Sequence, residues 1–324
     1  MDANFFLCLA APILARDDDP AGKSAEQHFK YFFGVSVAVV DVAWNLMRAH
    51  EVLPDDAKPI HLLWACFFLR HYTKETVLEV ILGRTMKTVR LHMWPIIAAL
   101  GHLTSVLVSL LTAADTVVVV RFFFPSSHII SGLSLFSMLQ VKLEDRYNND
   151  WQFMATLYVD CIDFMIEEPD ARDKWWYSHK SNGPGLRYEL ATSIQTGLIS
   201  WASGPWRAGL WHEKEIFKNG LYLELDEGEP VHTDRGYSGT VDEDGGVVFI
   251  TPNTQGLEGD ARRAHGQLHG RHEGVNGKLK RFSVLENRFR HDLDRHGECF
   301  FAVVALVQLE MMVETTPYHV EYAE

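Results

Sequence analysis

The period of the apolar residues changes part-way along this chain, and that change constrains the fold more than any other feature. From residue 25 to residue 100 apolar positions recur at three- and four-residue spacing, the pattern of helices with one buried face, with turn signals at Pro54-Asp55-Asp56 and Lys58-Pro59. From Trp151 the texture becomes short strand-like runs: Leu157-Tyr158-Val159, Leu186 to Gln195, Thr196 to Ser203, Pro230 to Thr233 and Val247 to Thr251. Asn182-Gly183-Pro184-Gly185 reads as the turn before the second run, His212 to Leu221 as a helix, and Glu258 to about Arg295 as a long helical segment. A helical unit followed by strands mixed with helices gives an α/β or α+β layer architecture, and 324 residues suffice for one generous core and a smaller domain.

Within the helical part, Thr73 is expected to cap a helix over Lys74 to Leu82, Gly83 to break it, and Thr85 to Leu100 to form the next helix. This is a helix-turn-helix outline, with Lys87 and Arg90 facing outward from the second helix, the element that enters a major groove in such modules. A plain helical bundle with solvated charges fits the same pattern. The N-terminal apolar run Phe5 to Ala11 lacks a basic leader and reads as an ordinary tail. Windows free of Asp, Glu, Lys and Arg, Leu91 to Ala114 and Phe122 to Val141, are long enough for a bilayer helix. Pro95, Gly101, Pro125, His128 and several serines dilute them, so the expectation is no membrane.

A formal net charge of -13 excludes a protein whose whole surface clings to DNA, because duplex affinity comes largely from cations neutralising phosphates. Nucleic-acid contact must be local, and residues 262 to 296 offer a place, with nine Lys or Arg against four acids. In that strip Arg271, Lys278 and Lys280 are the candidate phosphate contacts; an amphipathic helix with a solvated face is the alternative. His265, His269 and His272 have helical spacing for zinc, but Gly266 and Gly270 weaken the helix, and Asn276 stands where an H-E-x-x-H motif needs histidine. Cys8, Cys66, Cys161 and Cys299 lie far apart with no C-x-x-C pair, which indicates neither a disulfide framework nor a cysteine zinc site.

Three acids sit where this reading ends a strand or lines a helix: Asp160, Asp234 and Glu273, separated by 74 and 39 residues. Carboxylates from two strand ends and one helix can converge on a pair of Mg2+ ions that clamp the attacking and leaving oxygens of a phosphodiester. On spacing alone an Asp at a strand end is more often a turn former, and the chain has 43 acids. Asp163 is a second carboxylate on the first strand, but an offset of three turns it to the opposite face, so Asp160 is preferred.

Several ordered stretches together resemble one family. Val159-Asp160-Cys161-Ile162-Asp163-Phe164, Ser178-His179-Lys180, Gly183-Pro184-Gly185-Leu186-Arg187-Tyr188-Glu189, Thr233-Asp234-Arg235-Gly236-Tyr237 and Arg271-His272-Glu273-Gly274-Val275-Asn276-Gly277-Lys278-Leu279-Lys280 look like the DDE superfamily endonucleases related to Harbinger transposases. The resemblance covers roughly Glu144 to Gln308, with Lys58 to Leu100 similar to the helix-turn-helix region that precedes the family's core. It implies an α/β, RNase H-like catalytic core (a mixed sheet flanked by helices) behind an all-helical N-terminal domain. It also implies Asp160, Asp234 and Glu273 as catalytic, metal-binding carboxylates for two Mg2+ or Mn2+ ions, double-stranded DNA as partner, and a nuclear location. A homo-oligomer is compatible with it. One departure stands out: Cys161 and Ile162 follow Asp160 where the family usually has Gly-Thr. The alternative is therefore a domesticated, inactive DNA-binding or interaction protein on the same fold.

Periodicity and this resemblance together divide the chain into a helical domain at 25–100, an apolar insertion or linker at 101–141, with a core helix or a membrane anchor as the alternatives there, and the endonuclease domain at 142–310. Low charge, repeated Val, Phe, Ser and Leu, and no clean period make 103 to 141 poor material for a specified element.

Overall fold

The computed structural model describes residues 3–14, 24–113, 155–169, 173–225, 228–237, 248–315 and 317–320. In chain order the helices are α1 (Ala3–Leu14), α2 (Ala25–Phe33), α3 (Val37–Ala49), α4 (Pro59–His71), α5 (Glu75–Leu82), α6 (Met86–Ala113), α7 (Glu213–Asn219), α8 (Gly259–Lys280), α9 (Ser283–Glu286) and α10 (Asp294–Val313). The strands are β1 (Leu157–Met165), β2 (Tyr177–Ser178), β3 (Gly183–Ser193), β4 (Ile199–Arg207), β5 (Pro230–Thr233) and β6 (Val248–Ile250). Contacts divide the chain into unit 1, Met1–Leu107 with Gly277–Thr315, and unit 2, Val108–Asn276 with Thr316–Glu324. The C-terminal helix α10 thus belongs with the N-terminal helices, although the expected domain of 142–310 ran through most of it.

Unit 1 is helical because its local signals agree. Ser24 and Gln27 close a capping box on α2, Gly34 ends it in the left-handed conformation at φ 82°, and Ser36 caps α3. The core is built around α10, in which every residue from Cys299 to Met311 is buried. A helix apolar on all sides has to be enclosed. α10 is long and apolar enough to cross a membrane, and 83% of its apolar window is buried inside the protein. Glu310 is the acid of this core, with a side chain 1% exposed and ion pairs to Lys30, Lys278 and Arg281. Burial opposes its charge, but those cations outweigh burial and hold its pKa below the usual value.

Several expectations change here. The N-terminal run is a helix rather than a tail, burying Phe6, Ala10 and Ile13 at helical spacing. Thr73 does not cap: α5 starts at Glu75, one residue later than expected, with Lys74 in the N-cap position and no side-chain cap. Gly83 does end α5, left-handed at φ 62°, and Thr85 accepts from the Thr88 N–H at the start of α6. The long helix over 258–295 is interrupted after Lys280 and again after Glu286, where Phe282 and Phe289 turn fully into the core. Residues 101–113 continue α6, with Leu103 buried and the Thr104 hydroxyl donating to the Phe301 carbonyl at 2.8 Å. The expected insertion thus falls on α6 as far as Ala113, where the core-helix alternative applies, and residues 114–141 lie outside the described ones.

Among the described residues, unit 2 is an α/β layer around a mixed, six-stranded sheet. β1 pairs antiparallel with β3 and parallel with β5; β4 extends β3 antiparallel on its other side, and β6 extends β5 in parallel. The two-residue β2 pairs with Gly183 and Pro184, so these residues open β3 instead of forming the expected turn. Alternation along β1 serves two cores. Leu157 and Val159 join Trp201, Phe217 and Leu221 on one face, while Tyr158 joins Ile250, Leu257, Ala264 and Leu268 on the other.

Candidate metal centre

The parallel pairing of β1 with β5 sets Tyr158 beside His232 and Val159 beside Thr233. The next residue on each strand is an aspartate, so one register delivers Asp160 and Asp234 to the same level of the sheet. Asp160 is 7% exposed, and its Oδ1 accepts the Cys161 N–H at 2.7 Å. Asp234 lies where β5 ends, accepting the Gly236 N–H at 2.7 Å in an Asx turn. Glu213, the first residue of α7, completes the group: one carboxylate oxygen from each of Asp160, Glu213 and Asp234 lies within 4.8 Å of the others. Three hard oxygen donors at this spacing suit a divalent cation such as Mg2+ or Mn2+. Room is kept at Gly236, where a Cβ would collide with Glu213 Oε2 and stand 3.0 Å from Asp234 Oδ1. The donors and the cradle both fit a metal ion.

Burial, then repulsion from Asp234 and Glu213, pushes the Asp160 carboxyl up to about 7, against the lowering pull of Lys180. The Lys180 ammonium lies 2.6 Å from Glu213 Oε1 and 3.7 Å from Asp160 Oδ1, and donates to the Cys161 carbonyl at 2.8 Å. Burial works against its charge, but the two carboxylates outweigh burial and raise its pKa. Glu189, opposite Cys161 on β3, is fully buried and pushed up to about 8 by burial, although Trp201 Nε1 donates to it at 2.8 Å. Asp163 faces the other way and is bound by Arg187 through two hydrogen bonds of 2.7 and 2.8 Å and by the Ser178 hydroxyl, leaving Asp160 as the open carboxylate of β1.

Of the three sequence-derived acids, the structure gathers Asp160 and Asp234 but not Glu273 into the cluster. Glu273 is exposed on α8 and accepts from Asn276 at 3.3 Å. Burial, and then the charges of Asp160, Asp234 and Glu273, raise the Tyr158 phenol. Cys161, the residue after Asp160, points to Tyr237, its Sγ 3.4 Å from that hydroxyl. The three histidines form no metal group among the described residues: His265 meets His232 at 2.9 Å, His269 meets Tyr158 at 2.7 Å and His272 meets Thr192 at 3.1 Å.

The expected DNA contacts separate by environment. Arg271 is corrected: it is 3% exposed and donates to the Ser193 and Ile194 carbonyls at 2.9 and 2.6 Å, tying α8 to the end of β3. Lys278 is turned inward to Glu310 and Thr315, and Arg90 is held by Glu75 through two hydrogen bonds. Lys87 and Lys280 are exposed. Sequence reasoning missed Glu213, and it singled out Lys180 only within Ser178-His179-Lys180, with no role assigned. The only signal for Glu213 was an acid at the start of a helix after a strand, one of 43 acids in the chain.

Compared with protein-family models, curated proteins and solved structures, the chain matches none.

Proposed function

We propose that this chain is a metal-dependent DNA endonuclease of the DDE type, related to Harbinger transposases, with an RNase H-like core in unit 2. The observation that carries the reading is the pair Asp160 and Asp234 on adjacent parallel strands with a third carboxylate within 4.8 Å. The strand order β4-β3-β1-β5-β6, antiparallel on one side of β1 and parallel on the other, supports the RNase H-like assignment. Bound divalent cations would supply Lewis-acid charge for attack on a phosphodiester by water and then by a DNA 3′-hydroxyl. Asp160, Glu213 and Asp234 would hold them, and on this reading Glu273 of α8 would serve as a fourth ligand. Burial of Asp160 strengthens its interaction with any cation that arrives. The α5, Gly83, α6 segment supports a helix-turn-helix module, with Lys87 exposed on α6, and a nuclear location follows from the same reading.

A second reading, an inactive descendant that keeps the fold and binds DNA or partners, is favoured by Glu273 standing outside the cluster. Cleavage of labelled duplex DNA by the full chain, with Mg2+ or Mn2+ and beside Asp234→Asn, separates the two. The nuclease reading expects metal-dependent cleavage lost in the variant, and about 2.7 kcal/mol of metal stabilisation at 100 times the Kd. Gly236→Ala should lose that stabilisation. Stabilisation without cleavage would favour the inactive descendant, and the absence of both would remove the metal assignment.

A further inference from the structure

We propose that Lys180 is a built-in counter-ion of the carboxylate centre, a tethered ammonium that occupies the cation position and must swing out before a divalent ion can enter. The inference rests on the metal reading above and adds regulation to that site. Three carboxylates brought this close, one of them on a strand buried on both faces, repel one another unless a positive charge joins them. Lys180 provides it. Its ammonium is within reach of three oxygens from three different residues, Glu213 Oε1 at 2.6 Å, the Cys161 carbonyl at 2.8 Å and Asp160 Oδ1 at 3.7 Å, and two of these belong to the cluster. A single ordinary ion pair would use one carboxylate. This arrangement is that of a monovalent cation seated among ligands.

The position of Lys180 allows release as well as occupancy. The residue lies in the turn between β2 and β3, where Ser181 N–H donates to Ser178 Oγ and Asn182 takes a left-handed φ of 52°. Both turn features hold the backbone and leave the side chain free of it. That side chain is 43% exposed against 9% and 12% for Asp160 and Glu213, so its open side faces solvent. A flexible four-carbon stem can carry the ammonium outward with no change in the strands. One unit of charge then leaves and two enter. The apparent metal affinity is reduced by the fraction of time the lysine is seated, so removing the ammonium should tighten metal binding.

The test is Mn2+ binding by the full chain, read by electron paramagnetic resonance, for wild type, Lys180→Met, Lys180→Arg and Asp234→Asn. Lys180→Met should bind at least about tenfold more tightly than wild type, because the competent state becomes the only one. Lys180→Arg, which keeps the charge, should bind no more tightly, and Asp234→Asn should not bind. A second measurement needs no variant at Lys180: acetic anhydride labelling of Lys180 in wild type, read by mass spectrometry, should rise on adding Mn2+. If binding depends on Asp234 but Lys180→Met is unchanged or weaker, or labelling does not rise at saturating Mn2+, the counter-ion proposal is overturned while the metal centre stands. If neither wild type nor Lys180→Met binds Mn2+ through Asp234, the metal reading fails and takes the proposal with it.

Discussion

Asp160 and Asp163 lie three residues apart on one strand, and replacing each by asparagine should move stability in opposite directions. Asp163 sits in a nearly closed pocket, its side chain 1% exposed, and neutralises Arg187, whose side chain is 9% exposed and whose Nη1 also donates to the Trp211 carbonyl at 3.0 Å. Asparagine there leaves a guanidinium buried without its counter-charge, a loss of about 3–5 kcal/mol. For a unit of this size that is a fall in melting temperature of roughly 6–20 °C. Asp160 is strained in the other sense. Its carboxyl is pushed up to about 7 by burial and its acidic neighbours, so keeping it ionised opposes folding. A group raised in this way is most stabilising below its unfolded pKa, and that contribution is lost as pH rises through about 7. At pH 8 the whole difference is felt, up to about 4 kcal/mol at about 1.4 per pH unit. Asp160→Asn should therefore be at least as stable as wild type at pH 8, with the advantage shrinking toward pH 4. Urea denaturation of both variants at pH 8 and pH 5, followed by tryptophan fluorescence, reads this. Equal losses in the two variants, or an Asp163→Asn midpoint unchanged from wild type, would refute the assignment of one carboxylate to the centre and the other to the scaffold.

Acid should loosen unit 1 before unit 2. Burial first lowers His61 to about 4 and His296 to about 3 in unit 1, so stability present above about 6.5 is lost as pH falls toward those values, at about 1.4 kcal/mol per pH unit for each. In unit 2 the same loss from His232, His265 and His272 is partly offset by Asp160 and Glu189, whose raised values recover stability on acidification. Hydrogen exchange at pH 7 and 5.5 should show protection falling first in α4 and α10; earlier loss in β1 and β3 would contradict the argument. For DNA, neutralising Lys87 and Lys280 together should reduce the salt slope of binding by about 1.8, at about 0.9 for each phosphate contact. Arg271→Ala should instead destabilise unit 2 and leave the slope of the folded protein unchanged; a flattened slope there would return Arg271 to the interface.

The sequence by itself determined the elements whose signal is local. Short strand-like runs placed the start of β1 and the whole of β6, gave β5 its bounds at Pro230–Thr233, and turn residues placed Gly83 at the end of α5. It also put Asp160 and Asp234 directly after Val159 and Thr233, but only Asp234 stands at a strand end: β1 runs on to Met165, so the end expected after Val159 was misplaced. Only tertiary structure decided which carboxylates meet. The pairing of β1 with β5 joins residues 74 apart in the chain, and the entry of Glu213 and Lys180 depends on where α7 and the β2–β3 turn fold back. Burial was equally hidden. Arg271 and Arg90 look alike in a basic strip or on a helix face, yet one is sealed against carbonyls and the other is paired with Glu75 in the open. The break of the 258–295 helix at Phe282 and Phe289 has the same origin, since the buried volume that receives those rings is built by distant helices. Periodicity records the preferences of a residue and its near neighbours; charge state, ligand grouping and burial are set by the dielectric and the partners that remote segments bring.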